Sequence, residues 1–364
     1  MHKNIKVAFI LPSFAGGGAE RVVLNLCNIL CKSGVDPVLI ILSNSGNFKN
    51  IVGKYEVVYI NKSKLRWAIF PLIQKLKQID PDVIFSTFSY ITLTLLALRK
   101  YFPAGNNIIA RESNMLEPSF QHGKYKFILD IMHKKYISKA SKIIASSMVM
   151  YKDLISRGID SKKLTILHNP VDVDNIRDIP KTFRKKGKGL RLVAAGRLVY
   201  QKGFDRLIPI VGRLNKASNL IIFGDGPERV SLEKIIINLN LSKQVQLKPF
   251  SNQLWSYMAG ADAFLLSSRW EGMPNVALES LSLGTPVISF NFPGGLSDLV
   301  DSTIEGSVKI CNTEIEMLEV LRNLLPKDNR NILKLRKSLL PRKYMNKNVA
   351  RHLKEIIYGV NYKK

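Results

Sequence analysis

Short apolar runs alternate with longer amphipathic stretches along the first half of the chain. Residues 5–11, 38–42, 83–86, 107–110 and 142–146 read as strands, and residues 20–32 as a helix. Near-continuous apolar strands separated by helical stretches predict a doubly wound parallel sheet, because a strand covered on both faces has no polar side. The rhythm resumes later, with strands expected at 190–195, 219–223, 244–247, 263–266 and 286–290. Between the halves, residues 168–179 turn polar and Pro-containing. A basic run, Arg184 Lys185 Lys186 Gly187 Lys188 Gly189, then leads into a new strand, as expected of a domain boundary. The pattern reads as an α/β protein with two Rossmann-like domains, 1–175 and 176–343, followed by a helix-compatible segment, 344–364.

A length of 364 residues fits two domains of ordinary size, and a composition 46% hydrophobic and 23% charged excludes a disordered or fibrous chain. No apolar run reaches about 18 residues, and a strand-like segment follows the first six residues directly, so a cytoplasmic location is expected. Cys27, Cys31 and Cys311 form no metal-like cluster, and buried thiols without a disulfide are expected. The formal net charge of +27, from 55 basic against 28 acidic residues, calls for an anionic partner: nucleic acid, a membrane surface or a phosphorylated substrate.

Candidate chemistry falls where strands end. Gly16, Gly17 and Gly18 lie between the first strand and its helix, where a phosphate or sugar can approach the backbone closely, although a plain tight turn needs the same glycines. The sequence is not G-x-G-x-x-G, which disfavours an oxidoreductase. Arg197 and Lys202 lie five residues apart in the loop after the strand at 190–195, at the edge where open α/β sheets bind ligands. Together they can neutralise a diphosphate, or they can be two surface cations. Glu271, in a Gly/Pro loop, and Glu279, two turns into the next helix, supply carboxylates eight residues apart, suited to sugar and ribose hydroxyls. Asp172 Val173 Asp174 looks like a metal-binding D-x-D, but it lies in the linker without a second acidic cluster and reads as structural.

Taken together, GGGAER at 16–21, HNPVD at 168–172, GRLVYQKG at 196–203, FGDGP at 223–227 and E-x7-E at 271–279 resemble the retaining glycosyltransferases of family 4. The resemblance spans nearly the whole chain and implies the GT-B fold, two Rossmann-like domains facing across a cleft. It implies that Arg197 and Lys202 bind the donor diphosphate, Glu279 the ribose and Glu271 the transferred sugar. Gly17 and Gly18 would admit the diphosphate, Met273, Pro274 and Asn275 would line the donor pocket, and the last segment would return to the first domain. Many family members carry a His after the strand at 107–110. This chain reads Arg111 Glu112 there, and none of His2, His122, His133, His168 and His352 is an evident substitute. Arg111 and Glu112 therefore become candidates for contacting sugar or acceptor, or an ion pair that only shapes the loop.

The implied reaction is metal-independent, needs no cofactor and retains configuration, either by front-face attack or with Glu271 assisting a charged intermediate. A UDP-sugar is the preferred donor. A glycan on a polyprenyl diphosphate is the expected acceptor, in bacterial polysaccharide or lipopolysaccharide synthesis. Cations interleave with aromatics at Ser63 Lys64 Leu65 Arg66 Trp67 Ala68 Ile69 Phe70, and again over 124–136 with Tyr125, Phe127, Lys134 and Lys135. Such stretches predict peripheral contact with the anionic cytoplasmic face of the inner membrane, a solvated amphipathic helix being the alternative. A sugar-nucleotide epimerase or hydrolase would share the phosphate contacts. A nucleic-acid-binding protein would concentrate its charge on one groove and carry a recognisable module. Here the charge is spread over both halves and no such module occurs, so no nucleic-acid partner is expected.

Overall fold

In the computed structural model the apolar runs become strands buried from both sides, and the chain divides into two compact units, 1–170 with 343–364, and 171–342. The structure describes residues 4–15, 17–46, 52–115, 126–179, 189–251, 253–325 and 335–361. Gly16, the basic run at 184–188, His2, His122, Lys124 and Tyr125 lie outside the described residues.

The first unit holds a parallel sheet of β1 (Lys6–Leu11), β2 (Asp36–Ile41), β3 (Glu56–Tyr59), β4 (Val83–Ser86), β5 (Ile108–Arg111), β6 (Lys142–Ala145) and β7 (Leu164–Ile166). Their order is β3-β2-β1-β4-β5-β6-β7, so the direction of winding reverses at β1. Alternation along β1 serves two cores. Ala8 and Ile10 pack with α2 (Leu65–Ile79), α3 (Ser89–Ala97), α4 (Lys126–Tyr136) and α5 (Met148–Ser156). Val7, Phe9 and Leu11 pack with α1 (Gly18–Cys31) on the other face.

The second unit repeats the design with β8 (Arg191–Ala195), β9 (Asn219–Phe223), β10 (Val245–Lys248), β11 (Ala263–Leu266), β12 (Val287–Phe290) and β13 (Val308–Cys311). The order is β10-β9-β8-β11-β12-β13, and winding reverses at β8. Its helices are α6 (Val173–Arg177), α7 (Phe204–Gly212), α8 (Arg229–Asn238), α9 (Leu254–Gly260), α10 (Asn275–Ser282), α11 (Ser297–Val300) and α12 (Glu314–Asn323). Asp172 caps α6, accepting from the Asn175 amide at 3.4 Å.

The last helix, α13 (Asn346–Asn361), packs on the face of the first sheet that α1 also covers. Val349, Leu353, Ile356, Ile357 and Val360 are buried there, each burial worth about 2 kcal/mol.

Three strands escape the sequence pattern: β3, β7 and β13. Each stands at a sheet edge and is short and only partly buried, so its hydrophobic signal is diluted.

Candidate active site

Open α/β sheets bind ligands beyond the carboxyl ends of their strands, where the winding reverses. In the second unit that position lies between the loops after β8 and β11. Gly203 ends the β8 loop in the left-handed region, φ 62°, and a Cβ there would stand 2.1 Å from the Ser267 carbonyl oxygen. Only glycine permits this contact, and it brings Lys202 beside the β11 loop.

Hydrogen bonds then stitch the two loops together. Ser267 Oγ donates to the Lys202 carbonyl at 2.8 Å, and Gln201 Nε2 donates to the Trp270 carbonyl at 2.8 Å. Arg269 donates from Nη1 to the Tyr200 carbonyl at 2.7 Å and lies 3.9 Å over the Tyr200 ring. The same guanidinium forks onto Asp205 at 3.0 and 2.7 Å. Burial raises the Asp205 carboxyl's pKa, but the bonds and charge of Arg269 outweigh it and hold the group below its ordinary value.

The stitched loops present a small charged cluster. Lys202 Nζ donates to Glu271 Oε1, which also accepts from Ser268 Oγ at 2.7 Å. Glu271 is 7% exposed, and among the described residues its Oε2 takes no hydrogen bond. The ammonium carries three donors, of which Glu271 uses one. Arg197 is exposed on the same loop and has no ion-pair partner among the described residues. Such an arrangement can accept hydroxyl donors at one point and neutralise a diphosphate beside it.

Glu279 is buried in the second turn of α10, its Oε2 accepting from Trp255 Nε1 at 2.8 Å. Pro274 precedes the helix and Asn275 opens it, with Met273 buried behind them. The first-turn amides of a helix favour a negative ligand at its start. Sequence reasoning missed the backing loop after β12, which takes the Glu271 amide on the Pro293 carbonyl at 3.1 Å and gives the Gly295 amide to the Gly272 carbonyl at 2.6 Å. Its Pro293 Gly294 Gly295 run, directly after an apolar strand, was the available signal.

The FGDGP motif supports the cationic loop. Gly196 and Leu198 donate their amides to the Phe223 and Asp225 carbonyls at 3.0 and 2.9 Å. A Cβ at Gly224 would stand 1.9 Å from the Gly196 carbonyl oxygen, so the two motifs belong to one construction.

In the first unit, Gly17 caps α1 with extended backbone and Gly18 is the helix's first residue, both directly beyond β1. Arg111 and Glu112 do not form an ion pair. Arg111 Nη2 donates to Asn169 Oδ1 at 2.6 Å, while Nη1 is buried without a hydrogen-bond partner among the described residues. Burial lowers the guanidinium to about 10, with the Glu112 charge opposing. Glu112 is directed elsewhere: Oε2 accepts from Ser89 Oγ at 3.2 Å, and Oε1 lies 3.3 Å from His133 Nε2. Nothing in the spacing of His133 links it to Glu112, so the sequence marks it as no evident substitute for the family's histidine.

The sequence profile described as Glycosyltransferase Family 4 matches residues 16–175, and that described as Glycosyl transferases group 1 matches residues 175–341. An N-acetylgalactosamine-N,N'-diacetylbacillosaminyl-diphospho-undecaprenol 4-alpha-N-acetylgalactosaminyltransferase of Campylobacter jejuni is 26% identical, over 92% of each chain. The amylovoran biosynthesis glycosyltransferase AmsD of Erwinia amylovora is 24% identical over 78% of this chain and 80% of its own. Among solved structures, Anabaena HepE in complex with UDP and glucose superposes with a TM-score of 0.70 at 16% identity, covering 99% of this chain and 98% of its own. Matched along both halves and folded as two parallel α/β units, the chain belongs to the family 4 glycosyltransferases of GT-B fold.

Proposed function

We propose that the protein transfers a sugar, with retention and without a metal, from a UDP-sugar to a glycan carried on a polyprenyl diphosphate, in polysaccharide or lipopolysaccharide assembly. The observation that carries the donor half is the Lys202–Glu271–Ser268 cluster with Arg197 beside it, at the switch point of the second sheet. Arg197 and Lys202 stabilise charge growing on the departing diphosphate. The second carboxylate oxygen of Glu271, Oε2, accepts from a hydroxyl of the transferred sugar. Glu279 holds the ribose, while Met273, Pro274 and Asn275 line the pocket at the start of α10. Gly17 and Gly18, at the start of α1, are the first unit's candidate donor contacts.

The donor and acceptor classes draw on relatives. HepE was solved with UDP and glucose, and the Campylobacter relative's name specifies an undecaprenol diphosphate acceptor. A peripheral membrane seat draws on the first unit's own surface. Trp67 and Phe70 on α2 are 63% and 69% exposed, and Phe127 on α4 is 74% exposed. Arg66 lies 5.3 Å over the Trp67 ring, and Lys134 and Lys135 flank the exposed face of α4. Among the described residues no helix is long and apolar enough to cross a membrane.

Thermal-shift measurements of the whole protein against UDP, GDP and ADP, without added metal, test the donor site. UDP is expected to stabilise selectively, by about 3 kcal/mol at a hundredfold excess over its Kd. Glu271→Ala is expected to keep the fold and lose transfer. A response to GDP or ADP in place of UDP, or wild-type transfer by the folded variant, overturns the respective assignment.

A further inference from the structure

Glu112 is a buried carboxylate at the first unit's carboxyl edge, and three elements hold it. Its amide donates to the Ile144 carbonyl at 2.9 Å, which joins the residue after β5 to β6. Ser89, the first residue of α3, donates to Oε2 at 3.2 Å. His133 Nε2 faces Oε1 at 3.3 Å. Glu112 is 2% exposed and His133 4%, so water does not compete for the bond between them, and a carboxylate at this depth requires such partners.

The imidazole is itself fixed. Leu129, Met132 and Tyr136 of α4 pack into the core beneath the helix, whereas Phe127, Ile128 and Ile131 face outward. His133 therefore enters from a helix whose rotation is set by its apolar anchors. Ser89 and His133 together occupy one site on each carboxylate oxygen. Because a carboxylate has about four lone-pair sites, each oxygen keeps capacity for a further donor. The two clamps define the plane and direction in which that capacity points.

We propose that His133 is a positioning residue for sugar transfer, fixing the Glu112 carboxylate so that it can receive the hydroxyl of an incoming acceptor. The assignment rests on the proposed transferase reading and on Glu112 as the acceptor-side carboxylate. It adds a residue 21 positions away on a different element. Either tautomer-dependent neutral donation through Nε2–H or donation from a protonated ring serves this role. A glutamine amide can reach the same point.

The test uses the whole protein with a polyprenyl-diphosphate-linked sugar as acceptor. His133→Ala is expected to lower kcat/KM for acceptor about 10- to 100-fold, the range for losing a hydrogen bond to a charged group, while the UDP-induced thermal shift stays unchanged. His133→Gln should recover most of the loss. In a Glu112→Gln background, His133→Ala should cost less than about threefold more, because residues acting as a unit are non-additive. Wild-type kinetics in His133→Ala, equal losses in both His133 variants, or losses that multiply in the double variant overturn the assignment.

A separate measurement holds if no sugar is transferred at all. The ¹⁵N resonance of His133 Nε2 should move on Glu112→Gln. An absent transferase activity with that shift present would count against the transfer reading alone, whereas an unmoved resonance would overturn the His133 assignment.

Discussion

His168 shows how a single side chain carries a pH signature. It follows β7 with its ring 4.8 Å from that of Tyr344. Burial first, then the positive charges of Lys343 and His352, push its pKa down from 6.5 to about 4. A folded pKa below the unfolded one means that the unfolded chain binds the proton more tightly. The stability contributed by neutral His168 is therefore complete above about pH 6.5 and is lost as pH falls toward about 4. His168→Phe keeps a ring against Tyr344 without the proton. Its melting temperature is expected to fall less than that of the wild type between about pH 7 and pH 4.5. Parallel curves for the two proteins would refute the linkage. At this scale Lys202 and Glu271 were readable from the sequence because each belongs to a motif of fixed spacing. The Glu112–His133 pair was not, because it is made by two elements meeting in space, and periodicity records only what a residue's own element buries.

Among elements, the β8 loop owes its course to Gly203. Replacing it with alanine forces a side chain against the Ser267 carbonyl in a left-handed conformation, a strain of roughly 1–3 kcal/mol. Gly203→Ala is expected to lower the melting temperature and to shrink the UDP-induced shift, since Lys202 is its neighbour. An unaltered UDP response in calorimetry would show that the loop's course does not matter to the donor. The same scale explains which strands could be read. Central strands such as β1 and β4 bury both faces and announce themselves as apolar runs. β3, with the pattern Glu56, Val57, Val58, Tyr59, has a neighbour on one side only and carries half that signal. The FGDGP motif was legible as a motif, but its purpose was not, because Gly224 is explained by the carbonyl of Gly196 on another strand's loop.

For the molecule as a whole, the excess of +27 and the exposed aromatics of α2 and α4 bear on one expectation. Flotation with vesicles containing anionic lipid is expected to carry the wild type at low salt and to release it near 1 M salt, where the Debye length is about 3 Å. The pair Trp67→Glu and Phe127→Glu should stay in solution at both. Recovery of the wild type with purely zwitterionic vesicles at high salt would contradict the electrostatic share. The path of the chain has a consequence for synthesis. The second unit is continuous from 171 to 342, whereas the first is assembled from 1–170 and 343–364. On the ribosome the later-made unit can complete its core first, while one face of the earlier-made sheet is covered by α1 but waits for α13. A nascent chain stalled before that helix would present the part of this face that α13 covers to chaperones, although all seven strands of the sheet had long since been made.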